Sequence, residues 1–223
     1  MHNFSSSPLI FNTVFASNIG YGMENVLSSS SNIFYATFVN NTEGGMINGA
    51  ATPKIRYSIM WDYGSEIVTN FSSPAIIEYS CIKGGYAGIG NIDSYSQFLD
   101  SINLIGPDGI WMTSDDGLQL APCSPAINSG DTILLPFIDA LDITGSPRIQ
   151  NTYVDMGAYE SPFVPPISIN NLGYSTLSQA VSAAALSGGT VEIGPCTIES
   201  PSITIPMNVL LNIALGASLT IVP

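Results

Sequence analysis

Four segments of the sequence repeat one pattern: PLIFNTVF (8–15), NIFYATFV (32–39), PKIRYSIM (53–60) and AIIEYSCI (75–82). Aligned, they give an apolar column whose members are 24, 21 and 22 residues apart: Ile10, Phe34, Ile55 and Ile77. A second apolar column (Val14, Phe38, Ile59, Cys81) and a hydroxyl column (Thr13, Thr37, Ser58, Ser80) have the same spacing. Like residues at a period of about 22 are typical of a solenoid repeat.

A second ladder lies between these segments, with Met23, Met46 and Val68 followed two residues later by Asn25, Asn48 and Asn70. In a solenoid, successive coils stack about 4.8 Å apart, so residues at equal positions contact each other. Asparagine ladders at the corners then bond along the stack. A β-sandwich of antiparallel hairpins would not require the same residue type once in each period. We therefore predict a parallel β-helix, right-handed by the usual crossover rule.

The repeat ends after Gly84, and the rest of the chain has a different character. STLSQAVSAAALSGG (175–189) predicts an amphipathic helix with Ser175 or Thr176 as N-cap and a stop at Gly188. Strands are predicted at TVEI, SITI, NVLLNI and SLTIV, between residues 190 and 222. The predicted fold class is all-β, with irregular closing coils, a capping helix and the first coils of a second β-helix. The predicted segments are coils (1–85), a closing module (86–161), a proline-rich hinge (162–174), and a helix cap with a second β-helix (175–223).

Composition excludes some classes of partner. The chain has 4 Lys plus Arg against 17 Asp plus Glu, a net charge of −13. Nucleic acids and anionic membranes both reward clustered cations, so neither is an expected partner. No apolar run of membrane-spanning length occurs, and no signal peptide or sorting signal is visible. Of the cysteines, Cys123 and Cys196 form a bridge in one interpretation, whereas all three, with Cys81, are unpaired thiols in the favoured one.

Three later stretches carry a family resemblance: YSCIKGGYAGIGNID (79–93), GPDGIWMTSDDGLQLAPCSPAINSGD (106–131) and DITGSPRIQNTYVDMGAYE (142–160). They resemble the C-terminal module of secreted bacterial right-handed β-helix proteins, of the pectate-lyase-like superfamily and the choice-of-anchor Q type. AVSAAALSGGTVEIGPCTI (180–198) resembles the opening of such β-helices, with Cys196 in place of an expected glycine. The resemblance implies an extracellular or surface-attached bacterial protein, and it implies no reaction.

The candidate metal ligands are Asp108, Asp115 and Asp116, in DGIWMTSDDGLQL (108–120). The loop does not fit an EF-hand, whose ligand and glycine positions fail here. Two interpretations stay open. The aspartates bind calcium at an irregular site, or, as we favour, they accept hydrogen bonds from backbone amides in a solvated turn. No cofactor other than calcium at this loop is expected.

The candidate carbohydrate-binding residues lie on the outward face predicted for the coils. One residue after the first apolar column come Phe11, Tyr35, Arg56 and Glu78, with Trp61 and Tyr63 at the adjacent corner. Aromatic rings and an arginine on a flat β-face can stack on glycans. In the favoured alternative the same residues stack on one another, and Arg56 pairs with Glu78 between coils.

No catalytic residues are predicted. The one histidine is His2, which excludes a Gly-His-Gly site of the polygalacturonase kind. Lys54, Arg56, Lys83 and Arg148 have no obvious acidic neighbour in the sequence, and we expect Arg148 to hold a loop through Asp142 or Asp155. Enzymatic activity stays open but disfavoured, and would be that of a polysaccharide lyase or glycoside hydrolase.

The predicted function is that of a non-catalytic structural or adhesive β-solenoid segment of a larger secreted or surface protein. Its expected partners are other copies or neighbouring β-helix segments, stacked end to end, and glycans. The alternative is a polysaccharide-binding or polysaccharide-degrading β-helix. Dispersed charges would favour the first function, and charges converging in one groove would favour the second.

Overall fold

The computed structural model describes residues 1–70, 74–131, 141–150 and 152–222. The predicted closing module includes 132–140 and 151, which lie outside the described residues. The described chain is mostly β, with stacked parallel strands that form a β-solenoid, and it contains one short helix. It divides into two compact units. Unit 1 comprises residues 1–95, 141–148 and 156–160, and unit 2 comprises the other described residues.

Unit 1 contains two stacks of short parallel strands. The first stack has the order β1-β3-β5-β8, and in the second β2 and β4 are followed by β6 with β7, then by β9 with β10. All of these pairs are parallel, which confirms the predicted parallel β-helix fold for this unit. The strands are β1 (His2–Phe4), β2 (Leu9–Ala16), β3 (Tyr21–Val26), β4 (Asn32–Val39), β5 (Gly44–Gly49), β6 (Lys54–Arg56), β7 (Ile59–Trp61), β8 (Ile67–Asn70), β9 (Ile76–Glu78) and β10 (Cys81–Ile82).

The observed register differs by one residue from the predicted columns at β4. Ile10 pairs with Ile33 rather than Phe34, and the column continues through Ile55 and Ile77. Likewise Thr37, and not Phe38, lies opposite Ile59. Seven of the eight residues of β4 are buried, on both faces of the strand. A strand that is apolar on both sides does not specify its own register, which is why the pattern was misaligned here.

The same error affects the second ladder at β8. Met46 pairs with Ile67 rather than Val68, and Asn48 pairs with Thr69 rather than Asn70. The ladder instead extends in the other direction, because Asn3 pairs with Asn25. Asn3 Nδ2 donates to Asn25 Oδ1 (3.0 Å), and Asn25 Nδ2 donates to Asn48 Oδ1 (2.9 Å). All three side chains are buried, so this ladder is internal to the coils.

A left-handed residue bends the second stack at the same place in each coil. Asn12, Tyr35, Tyr57 and Tyr79 have φ values of 45°, 54°, 52° and 48°. Left-handed backbone costs roughly 1–2 kcal/mol for residues other than glycine. Stacking of the rings offsets this cost, with centroids 5.2 Å apart for Tyr35 and Tyr57 and 6.0 Å for Tyr57 and Tyr79.

Unit 2 places a helix against a small β-structure. α1 (Leu177–Ser187) buries Leu177, Ala180, Val181 and Ala184, and it packs on strands of the first of two sheets. That sheet has the order β12-β11-β13-β15, and the other pairs β14 with β16. The β13–β15 and β14–β16 pairs are parallel, whereas β11 is antiparallel to both β12 and β13. The strands are β11 (Ile167–Ile169), β12 (Leu172–Gly173), β13 (Gly189–Ile193), β14 (Thr197–Pro201), β15 (Val209–Ile213) and β16 (Ser218–Val222).

The predicted helix is confirmed with its caps, since the Thr176 side chain accepts from the Gln179 N–H (3.2 Å) and Gly188 ends the helix at φ 70°. The strand predicted at SITI (202–205) is wrong, because the strand of that coil is β14, just before it. Ile203 and Ile205 instead pack, partly buried, against the core of unit 2. Within the described residues, no helix has the length and apolarity needed to cross a membrane.

Cys123 and Cys196 form a disulfide in unit 2, with Cα atoms 5.7 Å apart. The favoured interpretation of three unpaired thiols is therefore wrong for these two residues. Cys81 in unit 1 is buried, and its thiol donates to the Ser94 carbonyl (3.0 Å). The bridge could not be preferred from the sequence, because the two cysteines are 73 residues apart and nothing local brings them together.

Candidate functional site

The predicted outward column makes contacts within itself. Phe11 is partly buried and stacks on Phe34, with ring centroids 5.1 Å apart. The register puts Phe34 in this column in place of Tyr35, which is fully buried. Arg56 Nε donates to Glu78 Oε2 (2.7 Å) across successive coils. Tyr35 is thus not on the exposed face, and Phe11 and Arg56 are engaged by neighbours from the next coil.

The two corner aromatics differ from each other. Trp61 is partly buried against Tyr95, with ring centroids 5.5 Å apart. Tyr63 is 70% exposed. Among the five candidate carbohydrate-binding residues, Tyr63 is therefore the one with a largely exposed side chain. Carbohydrate binding by these residues stays a prediction.

The three candidate metal ligands cap backbone amides in one loop of unit 2. Asp108 accepts from the Ile110 N–H (2.7 Å), and buried Asp116 accepts from the Met112 N–H (2.8 Å). Asp115 accepts from the Asp108 N–H (3.1 Å) and from the Thr113 hydroxyl (2.6 Å). These contacts are those of the turn interpretation.

The charge state of the loop follows from the same bonds. The Thr113 hydroxyl, and then the Asp108 amide, favour the ionised form of Asp115 and lower the pKa of its carboxyl. In the part of the chain that the structure describes, no three His, Cys, Asp or Glu side chains form a group suited to a metal ion. Calcium binding at Asp108, Asp115 and Asp116 stays a prediction.

Arg148 is the most enclosed cation of unit 1. Its guanidinium lies over the Tyr35 ring, 4.4 Å from the centroid, and donates to the carbonyls of Gly157 (3.1 Å) and Ala158 (2.8 Å). Its acidic partner is Glu160, 3.5 Å away and also buried. Asp142, an expected partner, instead accepts from backbone amides of the 142–146 turn and from the Glu160 N–H (2.9 Å). Arg148 thus holds the 156–160 segment against the tyrosine stack.

Asp62 and Glu66 form a buried carboxyl pair at the corner between β7 and β8, with 2% and 5% of their surfaces exposed. Asp62 Oδ1 accepts from the Asn41 N–H (2.7 Å) and from Asn41 Nδ2 (2.8 Å). Glu66 Oε1 accepts from the Asp62 N–H (2.7 Å). Lys83, from the next coil, donates to the backbone carbonyl of Asp62. The other two carboxyl oxygens, Asp62 Oδ2 and Glu66 Oε2, have no donor among the described residues.

Burial dominates the electrostatics of this pair. Removal from water, reinforced by the charge of Asp62, raises the pKa of Glu66 to about 8. Burial likewise raises the pKa of Asp62, against the opposing hydrogen bonds from Asn41. A cavity of about 350 Å³ beside the pair is lined by Glu66, Lys83 and Tyr86, among others.

Sequence reasoning missed this pair and all of the charge partners except Glu78. Two of the missed contacts span one coil, Lys83 Nζ to the Asp62 carbonyl and His2 Nδ1 to Glu24 Oε2 (2.8 Å), whereas Glu160 lies 12 residues from Arg148. A search for acids 21 or 22 residues from each cation, the period of the repeat, would have found the first two but not Glu160. Proximity along the chain carries little information in a solenoid.

Comparison with protein-family models, with curated proteins and with solved structures found no significant match to this chain.

Proposed function

We propose that this chain is a non-catalytic structural or adhesive segment of an extracellular β-solenoid that stacks on further coils. The observation that carries the proposal is the open coil formed by β15 and β16. Each of these strands ends its sheet, with a strand partner on one side only in the described part of the chain. From residue 200 to 222 this coil contains no Asp, Glu, Lys, Arg or His.

The open coil is also apolar. Leu210 is 66% exposed and Leu215 fully exposed, with Ile213 and Ile221 about half exposed. Exposed edge strands are usually protected from pairing by charges, bulges or covering loops. An edge that lacks charges and exposes aliphatic side chains is suited to being covered by another coil.

The coil that fits is one of the same kind, from a second copy or from a neighbouring β-helix segment. β1 and β2 are likewise edge strands, since β1 pairs with β3 alone and β2 with β4 alone among the described strands. Phe4 and Leu9 expose more than half of their surfaces beside this edge. Two different edges that meet head to tail build an open filament rather than a closed ring.

An extracellular location, in a β-helix protein of the pectate-lyase-like kind, is part of this proposal. The Cys123–Cys196 disulfide supports it, because such bonds persist in oxidising compartments. A non-catalytic role is supported by the dispersed cations. Arg56, Lys83 and Arg148 each contact a different partner, Glu78, the Asp62 carbonyl and Glu160, so no groove collects them.

The test is the concentration dependence of molecular mass for the full chain, measured by sedimentation velocity. We expect the wild type to associate as concentration rises. Leu211 packs against the core of unit 2, and a coil stacked on β15 would cover it. Leu211→Lys puts a charge at this position and should therefore abolish association. Ile102→Lys, at an exposed aliphatic position of unit 2 outside β15 and β16, is the matched control and should still associate. A wild type that stays monomeric over the whole range, with a β-rich circular dichroism spectrum, would refute stacking of copies.

A further inference from the structure

The corner between β7 and β8 holds two carboxyl groups that no cation neutralises directly. Asp62 and Glu66 are linked by the Asp62 N–H, which donates to Glu66 Oε1 (2.7 Å), yet no Lys, Arg or His of the described residues forms an ion pair with either carboxyl. Lys83 approaches the backbone carbonyl of Asp62 rather than its carboxylate. Two adjacent carboxylates that are both ionised would repel strongly in such a buried place.

The unpartnered oxygens indicate what resolves this repulsion. Each carboxyl has one oxygen bonded to donors and one without, namely Asp62 Oδ2 and Glu66 Oε2. A carboxylic acid is a donor as well as an acceptor. One proton between the two free oxygens would satisfy both and leave the pair with a single negative charge, close to Lys83.

A metal ion is a poorer occupant of this place than a proton. Asp62 Oδ2 lies 3.0 Å from the position that a Cβ on Gly45 would occupy, and the methyl group of Met60 reaches the same spot. The oxygen is therefore packed against the coil interior. The cavity beside Glu66 is lined by Lys83, whose charge opposes a cation.

We propose that Asp62 and Glu66 share one proton and act as a pH-sensitive latch, which holds the β7–β8 corner closed in acid and loosens as the pH rises. The latch goes beyond the stacking function proposed above and does not depend on it. The surrounding charged or titratable groups are Lys83 and Tyr86 beside the cavity, and Glu43 of the preceding coil, whose carbonyl faces Gly64. The Asn41 amide groups also contact the pair but do not titrate.

The direction of the pH effect follows from proton linkage. The ordinary pKa of Glu66 is 4.5, and in the closed corner it is raised to about 8. The closed corner therefore binds more protons than the open one between these values, and its stabilisation, complete below pH 4.5, is lost as the pH rises toward 8. One proton released on opening makes the opening constant rise about tenfold per pH unit in this window.

The test is amide hydrogen exchange of the full chain between pH 5 and pH 8, followed at the Asp62 and Asn41 N–H groups, which donate to the pair. We expect their protection factors to fall with pH in the wild type, by up to about tenfold per unit. Glu66→Gln should make them independent of pH, because the glutamine amide donates permanently to Asp62 Oδ2. The matched control is Glu43→Gln, which removes an exposed carboxylate at the same corner and should keep the wild-type dependence.

A direct readout covers the case in which Glu66→Gln does not fold. The ¹³C signal of the Glu66 carboxyl in the wild-type chain reports its own protonation. Titration near pH 8 supports the latch. Titration near the ordinary value of 4.5, or a Glu66→Gln variant that keeps the wild-type slope, would overturn it.

Discussion

Arg148 shows how one buried cation can organise a distant piece of chain. Its guanidinium satisfies two carbonyls of the 156–160 segment, stacks on Tyr35 and pairs with Glu160. Because both partners of the ion pair are buried, the pair itself is weak evidence of net stability. Removal of one partner is a different matter, since the other charge is then left in the interior without compensation.

We expect Arg148→Met to destabilise the chain by roughly 3–5 kcal/mol, because it removes the buried cation that compensates the charge of buried Glu160. Arg56→Met is the matched control. Its partner Glu78 is partly exposed, so water replaces the lost contact and the cost should stay below about 1 kcal/mol. Urea denaturation followed by circular dichroism measures both, and equal losses in the two variants would contradict this assignment.

The asparagine ladder offers a test at the residue level of the observed register. Asn25 bonds to Asn3, Ser31 and Asn48 in the interior, so Asn25→Ala should cost about 2–4 kcal/mol by leaving those groups without partners. Asn70→Ala should cost under about 0.5 kcal/mol, because Asn70 is exposed and Thr69 lies in the ladder position. Thermal unfolding compares the two, and a comparable loss for Asn70→Ala would restore the register predicted from the sequence.

At the scale of elements, the repeat predicted the type and stacking of the strands but not every register. Columns of like residues indicated parallel coils because only stacked coils bring equal positions together. The registers failed at β4 and β8, where apolar residues line both faces or neighbouring residues are alike, so that a shift by one costs nothing in the pattern. The helix was predictable to its caps because Thr176 and Gly188 act locally.

Apart from the Arg56–Glu78 pair, the charge partners and the disulfide were beyond the same reasoning, for a related reason. Asp62, Glu66 and Lys83 come together only once the coils are stacked, and Cys123 meets Cys196 across 73 residues. The sequence pattern specifies which residues repeat, but a site is formed by residues that do not repeat. Hence the fold was largely predictable while the acid pair was not.

The MGAY turn of the 156–160 segment depends on a glycine that approaches the coils closely. Gly157 has φ 104°, and a Cβ there would lie 2.9 Å from Ile59 Cδ1 and 3.0 Å from Thr37 Oγ1. Gly157→Ala should therefore cost about 2–3 kcal/mol, for backbone strain and contact together.

Gly145→Ala is the matched control for this prediction. Gly145 is also left-handed, at φ 86°, but a Cβ there meets no atom within 4 Å. Its cost should be that of the backbone alone, about 1 kcal/mol. Urea midpoints give the difference, and identical values would show that close approach at Gly157 is unimportant.

For the molecule as a whole, the disulfide ties a large part of unit 2 into one closed loop. Cys123 and Cys196 are 73 residues apart, and a crosslink over that length lowers the entropy of the unfolded chain by about 4 kcal/mol in free energy. Reduction, or Cys123→Ser, should destabilise unit 2 by an amount of this order. Calorimetry with and without a thiol reductant measures it.

Cys81→Ser provides the control, because Cys81 is buried in unit 1 and takes no part in the bridge. This variant should respond to the reductant as the wild type does. Mass spectrometry of unreduced peptides gives an independent readout. Recovery of both Cys123 and Cys196 as thiols in protein secreted through an oxidising compartment would contradict the bridge and weaken the proposed extracellular location.

The 156–160 segment has a consequence for the order of folding. Ala158 donates to the Thr37 hydroxyl (3.0 Å) and Gly157 to the Tyr57 carbonyl (2.8 Å), so the first coils receive partners that the ribosome makes about a hundred residues later. Coils that contact only their neighbours can stack as they emerge, since their contacts are local. The 156–160 segment can pack on these coils only after it has been synthesised. During synthesis, the coils of unit 1 can therefore stack before the 156–160 segment is available to contact them.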